Sequence, residues 1–115
     1  MRKKFIGRQG DVLLFKIEEK GEKYNMKKGK PILAYGETHG HKHQIIEEIP
    51  YSILPDVNDY GLEGLMEIEE GKTLTLRHGT DTTEKHAKIV IEEPGLYGWR
   101  IQREWHEGKE MKVRD

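Results

Sequence analysis

Apolar and polar residues alternate along most of this chain with a period of two, the signature of half-buried β-strands rather than of helices. GDVLLFKI (10–17) predicts a strand with apolar residues on both faces, and EEKGEKYNMKKGK (18–30) a charged connection. PILAY (31–35) is a short strand opened by Pro31, where a missing N–H is tolerated. HKHQIIEEI (41–49) is another, followed by PYSILPDVNDYGLEG (50–64), whose prolines and turn formers predict loop around a short extended SIL. LMEIEEGKTLTLRH (65–78) predicts a hairpin turning at Glu70-Gly71, and GTDTTEK (79–85) a loop. HAKIVIEE (86–93), LYGWRIQREW (96–105) and EMKVRD (110–115) complete the strands. No segment carries an amphipathic helical pattern. Seven or eight short strands separated by Gly/Pro turns predict an all-β fold, a small barrel or sandwich forming a single domain over residues 1–115.

The same alternation sorts side chains by face, because residues i and i+2 of a strand point the same way. His39, His41 and His43, from the stretch GETHGHKH (36–43), then share a face. His78 falls in line with Leu74 and Leu76 at the end of a buried row. In HAKIVI, Ala87, Ile89 and Ile91 form the apolar face, which leaves His86 and Lys88 opposite, with Glu84 on their side. The row Tyr97, Trp99, Ile101, Arg103, Trp105 places an arginine among aromatics, where a buried charge needs a partner or a ligand. Each feature also has a purely structural reading. Arg103 can stack on Trp99 and Trp105, His78 can be a hydrogen-bonded core histidine, and Glu84 and His86 can be polar residues at a loop edge.

Composition narrows the chemistry. The 115 residues contain no cysteine, which excludes disulfides, thiolate zinc sites and cysteine nucleophiles and fits a cytoplasmic protein. No apolar run reaches membrane-spanning length, and no phosphate-cradling P-loop or G-x-S-x-G serine motif occurs. Charge is uneven: residues 1–30 hold ten Lys/Arg against four Asp/Glu, whereas residues 31–71 hold one against nine. A basic first third suits an anionic partner. With 34% hydrophobic residues the core is thin, and a homodimer is expected to supplement it.

Two chemistries fit the histidines. In the first, no metal is used and the substrate is an RNA-like phosphodiester. Histidine titrates near neutrality, so His41 and His43 would act as base and acid, with His86 as the next candidate. Glu84 would orient a histidine, Arg103 would hold the phosphate, and Glu37 and His39 would stand behind them. Lys42 would guide the polyanion, and Trp99, Trp105 or Tyr97 would stack a base. In the second, His41, His43, His86 and Glu84 would bind a divalent transition metal. The HxH pair resembles the first cupin motif, although Glu47 and Glu48 match the cupin glutamate only loosely and the second cupin motif is not evident. The arginine in an aromatic row favours the phosphodiesterase. A third class is a non-catalytic nucleotide-binding module.

The ordered set QGD (9–11), GExxGHxH (36–43), ExH (84–86), QRE (102–104) and VRD (113–115) resembles a family of small β-rich bacterial and phage proteins. Members are similar to the stand-alone ring nucleases of type III CRISPR antiviral defence. That resemblance implies a cyclic oligoadenylate substrate, linear adenylate products and a site at a two-fold dimer interface.

Overall fold

The alternation becomes two facing antiparallel sheets in the computed structural model, which describes residues 2–18, 24–35, 41–79, 84–106 and 109–112, without the side chains of 84–86, 103–106 and 109–112. The large sheet contains β1 (Lys3–Gln9), β2 (Val12–Ile17), β3 (Lys27–Gly29), β6 (Ile49–Ile53), β7 (Gly64–Ile68) and β10 (Gly95–Ile101), in the order β1-β2-β10-β7-β6-β3. The small sheet contains β4 (Ile32–Tyr35), β5 (Lys42–Ile45), β8 (Leu74–Gly79) and β9 (Glu84–Ile91), in the order β4-β5-β8-β9. A separate hairpin pairs β11 (Arg103–His106) with β12 (Lys109–Lys112). The fold is all-β, as the period-two pattern requires, and no helix long and apolar enough to cross a membrane occurs among the described residues.

The main core fills the space between the sheets. Val12, Leu14, Met66, Ile68, Tyr97, Trp99 and Ile101 face it from the large sheet, and Leu33, Ala34, Ile45, Leu74 and Leu76 from the small one. A second core lies on the other face of the large sheet, where Leu54, Tyr60 and Leu62 pack on Phe15, Ile17 and Leu65. The loop that covers it is organised by Asn58. Its Oδ1 accepts from the backbone N–H groups of Tyr60 and Gly61, both at 2.9 Å, and its Nδ2 donates to the carbonyls of Pro55 and Leu62. At the far end of β10, burial pushes the Tyr97 phenol up from its ordinary value, and its hydroxyl donates to the Glu93 carbonyl at 2.7 Å. The Glu93 carboxylate pairs with Lys16 at 2.8 Å, which raises the lysine and lowers the glutamate.

Several sequence expectations change here. Among the described residues there are twelve strands, where the sequence pattern predicts seven or eight. The expected hairpin at Glu70-Gly71 is not one: β7 and β8 belong to different sheets, and the turn, with Gly71 at φ 78°, carries the chain across the core. β1 was masked in the sequence by its charge; it is an edge strand in which only Gln9 is buried, so it shows no apolar face. The expected strand 96–105 divides after Ile101, and Arg103 begins the separate hairpin.

Trp99 is 2% exposed and its ring lies over Gly64. The site expected it to stack a substrate base, but it is a core side chain with no face to offer. A Cβ at Gly64 would collide with that ring and stand 2.7 Å from the Ser52 carbonyl. Gly64→Ala is therefore expected to destabilise the protein by about 1–3 kcal/mol. A urea titration with an unchanged midpoint would contradict this packing.

Candidate histidine centre

The small sheet places its histidines by simple pairing. His43 of β5 stands opposite His78 of β8, and His78 stands opposite His86 of β9. Directly opposed residues share a face. His43 and His78 both turn inward and are 0% and 3% exposed. Their rings stack in parallel, with centroids 3.9 Å apart and 5° between planes. His41, two residues before His43, is half-buried and meets His78 edge-on at 6.3 Å and 80°. Its Nδ1 is buried, with no hydrogen-bond partner among the described residues.

The position of His86 results from an irregularity. Leu76 pairs with Ile89 and His78 with His86, so β9 holds one residue more than β8 between the two pairs. Strict alternation placed His86 opposite the Ile89 face, and this bulge interrupts that alternation. A further register shift sets Glu84 opposite Gly79.

The large sheet supplies the other half of the site. The β1–β2 hairpin turns on Gly10, at φ 57°, and Asp11, with Gln9 paired to Val12. Val12 is wholly buried, so its partner Gln9 also faces the interior and is 2% exposed. The Gln9 amide donates from Nε2 to the carbonyls of Leu76 and Ala87, each at 3.0 Å. Carbonyl oxygens only accept, which fixes the amide orientation and turns Oε1 toward His43 Nδ1 at 2.8 Å. An amide oxygen also only accepts, so His43 Nδ1 carries a proton. The other ring nitrogen, Nε2, lies 3.7 Å from Asp11 Oδ1. In neutral His43 that nitrogen is a lone pair facing a carboxylate; in the imidazolium it is an N–H pointing at one. The carboxylate favours the second proton, whereas full burial and the stacked His78 ring oppose a second charge.

The expected site is partly assembled. His41 and His43 share the interior face, and the backbone of His86 joins them through His78. His43 is fully buried, which does not suit the direct contact with substrate that the sequence pattern assigns to it. Lys42 lies on the opposite face of β5, away from the cluster. Glu37 and His39 lie outside the described residues, as do the side chains of Glu84, His86, Arg103 and Trp105. Glu47, the loose candidate for a cupin glutamate, instead holds Thr75, accepting from its backbone N–H at 2.6 Å and from its hydroxyl at 2.5 Å. The sequence reading assigned no role to Gln9 or Asp11 and left His78 between core and site. The available signal was the QGD turn itself: two polar residues flank its glycine beside a strand of buried apolar ones.

Between them, fold and cluster define an all-β domain with a histidine centre enclosed between two sheets. The chain belongs to the family described as Domain of unknown function (DUF8820), which matches residues 8–102. No curated protein and no solved structure matches it.

Replacing Gln9 with leucine keeps the volume but leaves two carbonyls and the His43 Nδ1–H without their partner. Gln9→Leu should cost about 2–4 kcal/mol in denaturant unfolding, since each buried group left unsatisfied costs about 1–3 kcal/mol and some relaxation follows. In the wild-type protein, long-range ¹H–¹⁵N spectra should report a protonated Nδ1 for His43. An Nε2–H tautomer with a bare Nδ1 would contradict the hydrogen-bond assignment.

Proposed function

We propose that the histidine centre cleaves an RNA-like 3′,5′-phosphodiester by acid–base catalysis without a metal, and that cyclic oligoadenylate is its leading substrate. The observation that carries this reading is the stacked His43–His78 pair with His41 edge-on against it. Several imidazoles in contact, beside one buried carboxylate, hold fewer protons than they have nitrogens to accept them. Imidazole is the side chain most often used to give and take a proton in catalysis.

In this reading one of His41 and His86 removes the proton of the 2′-OH, whose oxygen attacks phosphorus. The P–O5′ bond breaks, and the other histidine protonates the departing 5′ oxygen. The product is a linear adenylate ending in a 2′,3′-cyclic phosphate. Gln9, Asp11, His43 and His78 hold the geometry and the proton inventory from below. Arg103 stabilises the charge on phosphorus, and Glu84 orients His86. A symmetric ring substrate suits two such sites across a homodimer.

A metal-dependent reading draws on a different observation. Gln9 fixes His43 Nδ1–H as a group behind a metal ligand would, and leaves Nε2 facing Asp11 at 3.7 Å. His41, His86 and Glu84 would complete that set.

The test is incubation of metal-analysed protein with cyclic tetra-adenylate and with linear RNA, each with and without EDTA. Cleavage that survives EDTA, and fails on the 2′-deoxy analogue, is the expected result. Activity lost to EDTA, together with stoichiometric metal in the protein, would establish the second reading. His41→Ala should lower turnover by about 10²–10⁴-fold with the unfolding midpoint unchanged. Undiminished turnover in that variant would remove His41 from the site.

A further inference from the structure

The end of the β1–β2–β10 surface that faces away from the main core has a character of its own. Phe5 pairs with Phe15, Arg8 with Leu13, and Arg100 also with Leu13. Opposed residues share a face, so Lys3, Phe5, Arg8, Leu13, Phe15 and Arg100 stand together on it. The loop carrying Tyr60 and Leu62 covers part of Phe15, and Lys3 donates to the Tyr60 carbonyl at 3.1 Å. The cover leaves Phe5 53% exposed.

That exposed ring is not loose. It meets Phe15 edge-on at 5.8 Å and 70°. Lys3 Nζ and the Arg100 guanidinium lie 5.8 and 5.9 Å from the Phe15 centroid. Arg8 donates to the Gly10 carbonyl and to the Gln102 amide oxygen, which holds it at the rim. Among the described residues no carboxylate pairs with Lys3, Arg8 or Arg100.

We propose that this face binds single-stranded nucleic acid, with a base stacked on Phe5 and the flanking phosphates on Lys3, Arg8 and Arg100. An exposed ring packed on Phe15, with cations on the same face that no carboxylate neutralises, complements what an unpaired nucleotide presents: a π-face between two negative groups. A duplex hides its base faces. An acidic peptide would use the cations and leave the ring idle. The charge of the first thirty residues, ten basic against four acidic, has the matching sign. The site stands apart from the histidine centre and does not depend on cleavage there.

Fluorescence anisotropy with a labelled oligoadenylate RNA tests this, using full-length His41→Ala protein in EDTA so that turnover cannot distort the reading. Saturable binding is expected, with the matched duplex much weaker. Phe5→Ala should weaken binding at least about fivefold and Phe5→Trp should restore it. Arg8→Gln and Arg100→Gln should each flatten the log–log salt dependence by about 0.7. Lys72→Gln, in the exposed turn between β7 and β8, should change nothing. Absence of binding, equal affinity for duplex or polyglutamate, or unchanged affinity in Phe5→Ala would each overturn the proposal.

Discussion

One side-chain amide joins the two sheets at the point where the histidines gather. Gln9 belongs to the large sheet, yet its three hydrogen bonds all go to the small one: to the carbonyls of Leu76 and Ala87 and to the ring of His43. Each bond in isolation contributes about 1 kcal/mol. Their joint effect is larger in kind, because the Gln9 amide and the His43 ring are buried and depend on one another. With the amide in place, β8 and β9 are held against the tip of the β1–β2 hairpin, His43 is confined to one tautomer, and Asp11 is set before its remaining nitrogen. The geometry of the centre follows from a bond that also closes the fold.

This dual role explains the depth of the cluster. Polar side chains between apolar sheets need partners; the Gln9 amide holds the His43 ring, and the His78 ring packs against both His43 and His41. His43 and His78 are part of the interior and of the site at once. The half-buried His41 and the register position of His86 lie at its margin, where a ligand would meet it. Glu47, fastened to Thr75, and Trp99, lodged over Gly64, belong wholly to the scaffold.

The strand content and the inward rows of β2, β7, β8 and β10 were legible because alternation depends only on neighbours along the chain. So was the shared face of His41 and His43, two apart, with His41 immediately before β5. What was not legible depends on which strands meet. β1 looks like a charged tail because its one buried side chain is a glutamine. The turn at Gly71 reads as a hairpin because nothing local says that β7 and β8 part into different sheets. The pairing of His86 with His78 is hidden because one additional residue in β9 is invisible to a period-two count. Gln9 and Asp11 acquire their roles only when the hairpin tip is brought against the other sheet.

The bulge in β1 between Phe5 and Gly7 has a consequence for behaviour at high concentration. Among the described residues β1 is an outer strand of the large sheet, and an outer strand offers a row of backbone donors and acceptors that another chain could extend. The bulge breaks the spacing of that row, and the exposed Lys3, Lys4 and Arg8 repel a second copy of themselves. Further on, Gln9 engages the small sheet directly. A protein built almost entirely of short strands thereby keeps one of its edges from seeding fibres, and it does so with the lysines that made the strand hard to recognise.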